Sequence, residues 1–281
     1  MNDWNPMSPL AGMWKHRKIA WQFARRYVEM GFRGSVLGVA WVVLGPLLML
    51  GLYSFVFGLF GGYFDIDDGQ GGTLRAEGLD YALGIFLGLT VLNLFSGVLS
   101  AGPSIVVGNP NFVKKVVFPL DALPVALVGQ FGFNFCVGFI LCMLGLAFLG
   151  TGSGVVMAWL WAPAVLVPLF LMALGLSWFL SAIGVFLRDT GQMAPFLGMA
   201  LLYSSAVFYP VSLVVKEYPR IWTFLKWNPV LHGVDQLRQI FLWGIEPDLN
   251  PLIYLWAVGF SALFIGHWVF LRLRDDFADL L

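Results

Sequence analysis

Charged residues are missing from five long intervals, and a chain with that patterning has to find an apolar solvent. Between Arg33 and Asp65 lie 31 uncharged residues, between Asp80 and Lys114 33, between Asp121 and Arg188 66, between Asp189 and Lys216 26, and between Asp248 and Arg272 23. A helix that crosses about 30 Å of hydrocarbon at 1.5 Å per residue needs about 20 apolar residues. Four intervals therefore hold one span each. The longest holds two, with Thr151-Gly152-Ser153-Gly154 as the turn signal near its middle. The expectation is an all-α membrane protein with six transmembrane helices. Composition agrees, with 59% hydrophobic and 11% charged residues against about 25% charged in an ordinary soluble domain.

Basic residues are retained on the cytoplasmic side of a membrane. With both ends inside, Lys15, Arg17, Lys18, Arg25, Arg26, Arg33, Lys114, Lys115, Arg188, Arg272 and Arg274 face the cytoplasm. Only Arg75, Lys216, Arg220, Lys226 and Arg238 fall outside. Eleven against five fixes the expected orientation, with the acidic, glycine-rich stretch from Asp65 to Asp80 as the first outer loop. The first 30 residues lack the apolar core of a cleavable signal peptide, so the N-terminus is expected to be retained. One domain is expected over 1–281: an interface segment over 1–33, a six-span bundle over 34–271 and a cytoplasmic tail over 272–281.

Three segments do not read as spans. From Met13 to Met30, Lys15, Lys18, Gln22, Arg25 and Glu29 recur on one helical face and Ile19, Phe23, Tyr27 and Met30 on another. Such a helix lies along the membrane surface, either as a plain anchor or as a shelf for a cytoplasmic partner or lipid phosphates. Asn109 to Pro119, between the second and third spans, is basic and partly apolar, with Phe112 and Phe118 at helical spacing. It fits one short cytoplasmic helix, its aromatics serving a partner or the membrane. Between Pro210 and Pro251 an outer segment carries Trp222, Phe224, Trp227, Phe241 and Trp243, divided by prolines. One or two re-entrant half-helices are expected there, since irregular backbone enters a bilayer only where protein buries it or it lines a cavity.

Several chemistries are missing. No Gly-Lys dipeptide occurs, which excludes a phosphate-cradling G-x-x-x-x-G-K-[ST] loop and hence ATP hydrolysis by this chain. His16, His232 and His267 are scattered, and no metal-ligand cluster or nucleophile elbow is present. Cys136 and Cys142 lie six apart in one apolar run and read as packing residues. Net charge is zero, so nothing points to nucleic acid. The spans hold no acidic or basic residue near their middles, where ion-coupled carriers place them, so a secondary transporter is the weaker reading.

Against this background, a run of short motifs is similar to a known family. Arg33-Gly34-Ser35-Val36-Leu37-Gly38-Val39-Ala40-Trp41 with Gly45-Pro46, then Asn111 to Pro119, Leu187-Arg188-Asp189, Phe208-Tyr209-Pro210 and Asn228-Pro229 with Arg238 resemble, in order, the ABC-2 type permeases that export bacterial polysaccharides. The resemblance implies a homodimer of six-span subunits forming one channel in the inner membrane. Two copies of a separate ATPase would dock below and hold all the ATP and Mg, leaving no cofactor in this chain. The cargo would be a lipid-linked glycan such as O antigen, capsule or teichoic acid. Asn109, Pro110, Asn111, Phe112, Lys114 and Lys115 would form the coupling helix seated in the ATPase.

Sugars have apolar ring faces, so aromatic side chains suit a channel wall. Tyr53, Phe57 and Phe60 in the first span, with Tyr203, Phe208 and Tyr209 in the fifth, are the candidates, packing or lipid contact being the alternative at each position. Arg25, Arg26 and Arg33 stand where a lipid pyrophosphate would meet the cytoplasmic surface, although positive-inside anchoring explains them equally. Two other classes stay open. One is a membrane enzyme acting on polyprenyl-linked sugars, with Asp121, Asp189 or His232 as loose catalytic candidates, and the other is a channel or carrier that works alone.

Overall fold

The computed structural model describes residues 8–60, 62–67, 73–113, 118–149, 157–187 and 189–280. Among the described residues, five helical stretches are long and apolar enough to cross a membrane: Gly38–Phe57, Gly78–Ser104, Ala122–Phe148, Met157–Phe186 and Leu249–Leu280. In chain order the α-helices are α1 (Ser8–Gly31), α2 (Trp41–Phe60), α3 (Gly78–Ala101), α4 (Pro110–Val113), α5 (Ala122–Leu149) and α6 (Ala162–Phe186). There follow α7 (Thr190–Ser204), α8 (Val211–Glu217), α9 (Pro219–Leu225), α10 (Pro229–Arg238), α11 (Leu249–Leu273) and α12 (Phe277–Leu280).

Helix α3 is the axis of the bundle: 72% of its spanning window is buried, against 6% for α2, which lies on the rim. Helices α6 and α11 pair most closely. A Cβ on Gly175 would run into the Ala262 carbonyl, and one on Gly266 into the carbonyl of Gly175. Small residues at such a contact let two backbones approach, which matters in lipid, where no hydrophobic drive pushes helices together.

Helix α1 matches the sequence pattern in part: Ile19, Phe23 and Tyr27 of the expected apolar face are half-buried, but Met30 is exposed. Lys15, Lys18, Arg25 and Glu29 are exposed, whereas Ala20 and Ala24 are buried. Its buried side rests on α5 and so on protein, where Gly129 leaves room for the Ala24 methyl. The Thr151 to Gly154 turn lies outside the described residues.

The stretch expected to supply the fifth span departs from a plain crossing helix. Helix α7 has 15 residues, or about 22 Å at 1.5 Å per residue, shorter than the hydrocarbon core. The chain leaves the helix over 205–210, with Ala206 in the left-handed region at φ 51°. Of the pieces between 211 and 243, α8 and α9 are largely exposed, while α10 is buried against α3, α6 and α11. A π-turn over Gln239–Trp243 extends α10 and stops at Gly244, φ 68°.

The stretch expected as the first outer loop contains two strands among its described residues. Strands β1 (Tyr63–Asp67) and β2 (Thr73–Glu77) form an antiparallel hairpin with Phe64 opposite Ala76, both buried. The hairpin reaches α8 through a hydrogen bond from the Ser212 hydroxyl to the Asp65 carboxylate.

Candidate functional site

The break after α7 is where the structure spends its polar side chains. Leaving a helix frees carbonyls, and in an apolar surround each must find a donor. Arg238, 1% exposed, supplies three. Its guanidinium donates to the carbonyls of Ala206 (2.6 Å), Val207 (2.6 Å) and Gly84 of α3 (3.2 Å). The same group lies 3.8 Å over the ring of Phe64 from the hairpin. Gly84 and Gly88 make this possible: a Cβ at Gly88 would sit 3.1 Å from Arg238 Nη2, and one at Gly84 would sit 2.9 Å from the Phe64 ring.

Asn228 closes the other side. Its Nδ2 donates to the Ser204 carbonyl at 3.0 Å, while its Oδ1 accepts from the amides of Val230 (3.0 Å) and Leu231 (3.4 Å). One side chain thus ends α7 and N-caps α10, with Pro229 at the first helical position, where its missing N–H costs nothing. The Tyr81 hydroxyl of α3 donates to the Phe208 carbonyl at 2.8 Å. Asn228-Pro229, Arg238 and Phe208-Tyr209-Pro210, legible only as scattered short motifs, are one bonded assembly.

Around it the aromatic candidates partly converge. Phe57 meets Tyr53 (centroids 6.2 Å), Phe208 (6.4 Å) and, edge-on, Tyr81 (5.2 Å). Tyr203 stands apart, 65% exposed on α7. Tyr209 turns back, its hydroxyl donating to the Tyr203 carbonyl at 2.6 Å. The Phe60 side chain lies outside the described residues. Tyr81 and Phe64 belong to the same cluster and were not singled out from the sequence; nothing in their own spacing marks them, because only the hairpin and α3 bring them there. On the other side of Tyr53 an open groove of about 600 Å³ runs between α2, α3 and α5.

At the end of the bundle that carries α1 and α4, the arrangement differs from the simple expectation. Phe112 is half-buried and stacks on Phe118 (4.6 Å), and both meet Phe23 of α1 edge-on (5.2 and 5.6 Å). These aromatics tie α4 to α1, so the exposed position left in α4 for a docked partner is Asn111. Asn109 donates to the Ile105 carbonyl at 2.8 Å, and Pro110 is half-buried; Lys114 and Lys115 lie outside the described residues. Tyr27 is half-buried beside Asn109, and the burial of its hydroxyl raises that group above the usual phenol pKa.

Arg25 pairs with Glu29 at 2.8 Å on the exposed face of α1, while Arg26 and Arg33 are exposed. The loose catalytic candidates have separate surroundings. The Asp121 carbonyl takes the Trp178 indole N–H at 3.2 Å, Asp189 starts α7, and the His232 ring meets the Lys226 carbonyl at 2.7 Å. His267, 3% exposed, packs edge-on to Trp178 with its Nδ1 unpartnered among the described residues.

A bundle of apolar helices, broken near one face and sealed by buried polar side chains, is the build of a membrane transport subunit. The profile of the ABC-2 type transporter family matches residues 20–242, and the chain belongs to that family. Among its curated relatives, an O-antigen export system permease protein of Myxococcus xanthus is 26% identical over 269 residues, covering 95% of this chain and 96% of that one. A namesake from Klebsiella pneumoniae is 24% identical over 90% of this chain and 91% of its own. A polysialic acid transport protein of Escherichia coli is 22% identical over 89% and 91%.

Proposed function

We propose that this chain is the channel-forming subunit of an ATP-driven exporter that moves lipid-linked polysaccharide, O antigen foremost, across the inner membrane. The likeness to O-antigen export permeases over nearly the full length of both chains carries this reading. Capsular polysaccharide is the next cargo in line, since the relative that handles polysialic acid matches over a similar share.

In this reading α7 with the 205–210 break is the fifth of six crossings, and α10 is a half-helix that re-enters from the outer face. Two copies meet through the exposed apolar sides of α2 and α7, where Leu48, Leu52 and Phe55 and then Phe196, Met199 and Tyr203 find no cover within one chain. The cluster of Tyr53, Phe57, Tyr81 and Phe208 lines the passage. Both termini, α1 and α4 lie in the cytoplasm, and two copies of a separate ATPase, which binds the ATP and Mg, dock around 109–115. Because Phe23 locks α4 to α1, the two move as one body when the ATPases close. Arg26 and Arg33, unengaged by carboxylates among the described residues, contact the lipid pyrophosphate.

The test is reconstitution of the chain with its ATPase in vesicles loaded on one side with a lipid-linked glycan. ATP-dependent transfer of the glycan to the other side is expected. Equal transfer without the ATPase would make this a carrier that works alone, and new glycosidic bonds made by the purified chain would make it an enzyme.

A further inference from the structure

The groove between α2, α3 and α5 is separate from the bonded break but meets the aromatic cluster at Tyr53. Trp41 and Tyr53 of α2, Asn93, Ser96 and Ser100 of α3, and Asn134 of α5 line it. Asn93 lies near the middle of α3 and Asn134 near the middle of α5, so both amides stand at the depth of the hydrocarbon core. Both are exposed, and neither has a hydrogen-bond partner among the described residues.

A carboxamide brings two donors and an acceptor, and leaving them bare in an apolar medium is strongly unfavourable. Helix packing accounts for the glycines nearby, since Gly97 admits the Phe131 ring and Gly138 rests on Thr90. It does not account for two open amides. The proline at 46 adds a further polar group, because its missing N–H deprives the Val42 carbonyl of its usual helical donor, and both residues line the groove.

No Asp, Glu, Lys, Arg or His lines the groove, so it offers nothing to a phosphate. Amides and hydroxyls beside flat aromatic rings are instead what a neutral sugar asks for: hydrogen bonds at its edge and an apolar surface under its ring. The volume is within the usual range for ligand sites, about 300–1,000 Å³.

We propose that this groove is a saccharide-binding site that holds neutral sugar residues of the lipid-linked cargo and passes them to the cluster at Tyr53. The proposal rests on the exporter reading. Asn93 and Asn134 bond the sugar hydroxyls, Trp41 and Tyr53 lie under the rings, and the lipid tail stays in the bilayer at the groove's open side.

The test measures binding to the full chain in lipid nanodiscs with three radiolabelled probes: a farnesyl-diphosphate-linked neutral oligosaccharide, a dodecyl glycoside of the same sugars, and farnesyl diphosphate. Wild type should bind both sugar-bearing probes. The Asn93→Leu/Asn134→Leu double variant should bind them about tenfold more weakly, with each single variant falling between, as expected for losing one or two modest hydrogen-bonded contacts each. Binding of farnesyl diphosphate should not change. Leucine keeps asparagine's branching without its polar atoms, and an unchanged thermal midpoint confirms that the variants fold.

Four results would overturn the site: no sugar-dependent binding by wild type, equal sugar binding by the double variant, an equal fall for all three probes, or loss of the dimer along with sugar binding, which would make the groove an interface between copies. Export separates this proposal from the reading beneath it. If wild type exports with its ATPase and the double variant half-saturates at the same glycan concentration, the groove fails and the exporter stands. If wild type binds sugars but exports nothing, the exporter reading falls and the binding data alone uphold the groove.

Discussion

Two regions of this bundle hold polar groups among apolar helices, and they treat them in opposite ways. At the break after α7, Arg238, Asn228 and Tyr81 between them meet the carbonyls of Ser204, Ala206, Val207 and Phe208. In the groove between α2, α3 and α5, Asn93 and Asn134 meet nothing among the described residues. The first region shows how a helix can be interrupted among apolar helices with side chains meeting the carbonyls it frees. The second shows polarity that the fold itself does not use, and satisfied polarity serves structure where open polarity serves a ligand.

The sharpest way to break that contrast is to remove the largest donor. Arg238→Met fills the same space but leaves the two freed carbonyls of Ala206 and Val207 without a donor, whereas the Gly84 carbonyl keeps its helical one. At about 1–3 kcal/mol for each unsatisfied group, a loss of about 3 kcal/mol or more is expected, read as a lowered thermal midpoint in detergent together with lost export. Arg238→Lys should recover only part of this, since an ammonium cannot reproduce the planar fork that spans carbonyls on α3 and on the broken segment. A midpoint equal to wild type in the methionine variant would mean that the break is held by packing alone.

Asn228→Ala comes next. It removes the N-cap of α10 and the donor to Ser204 together, and about 2 kcal/mol is expected from a lost cap plus a partly orphaned carbonyl. Tyr81→Phe deletes a single hydroxyl and keeps the ring contacts with Phe57 and Phe64, so about 1 kcal/mol is expected. The ratio of these losses, measured by chemical unfolding in one detergent, tests whether the assembly works as a sum of bonds or as a unit. A Tyr81→Phe loss as large as that of Arg238→Met would favour the unit.

How much of this the sequence shows depends on the range of the interaction. Spans follow from charge-free length, and the polar face of α1 follows from helical spacing, because both are local properties of the chain. The hairpin was legible in principle, since Phe64 and Ala76 alternate with polar neighbours at a period of two, but the glycines between the strands argue for a loop. Helix α7 stops early at a site that no Gly-Pro pair announces. What allows the stop is Arg238, more than thirty residues later, and a donor at that distance leaves no periodic signal. Phe112 and Phe118 were legible as a pair, but their partner Phe23 lies on another element, so their inward turn was not. The groove falls between these cases. Asn93, Ser96 and Ser100 recur at three- and four-residue spacing on α3, and that stripe is visible once α3 is known to be the bundle's axis.

The smallest expected effect on stability is also the one that decides the comparison. Asn93→Leu and Asn134→Leu remove amides that bond to nothing among the described residues, so the variants' stabilities should stay within about 0.5 kcal/mol of wild type, the range of substitutions that break no structural contact. A slight gain is the natural direction, because leucine at that depth escapes the desolvation cost that an unpaired amide carries. Substitutions at the two regions then diverge in kind: those at the break lower stability first and export through it, whereas those in the groove leave the fold intact. If either leucine variant instead unfolds as readily as Asn228→Ala, its amide is structural after all, satisfied by a second copy of the chain across the groove, and the distinction between bonded and open polarity in this bundle disappears.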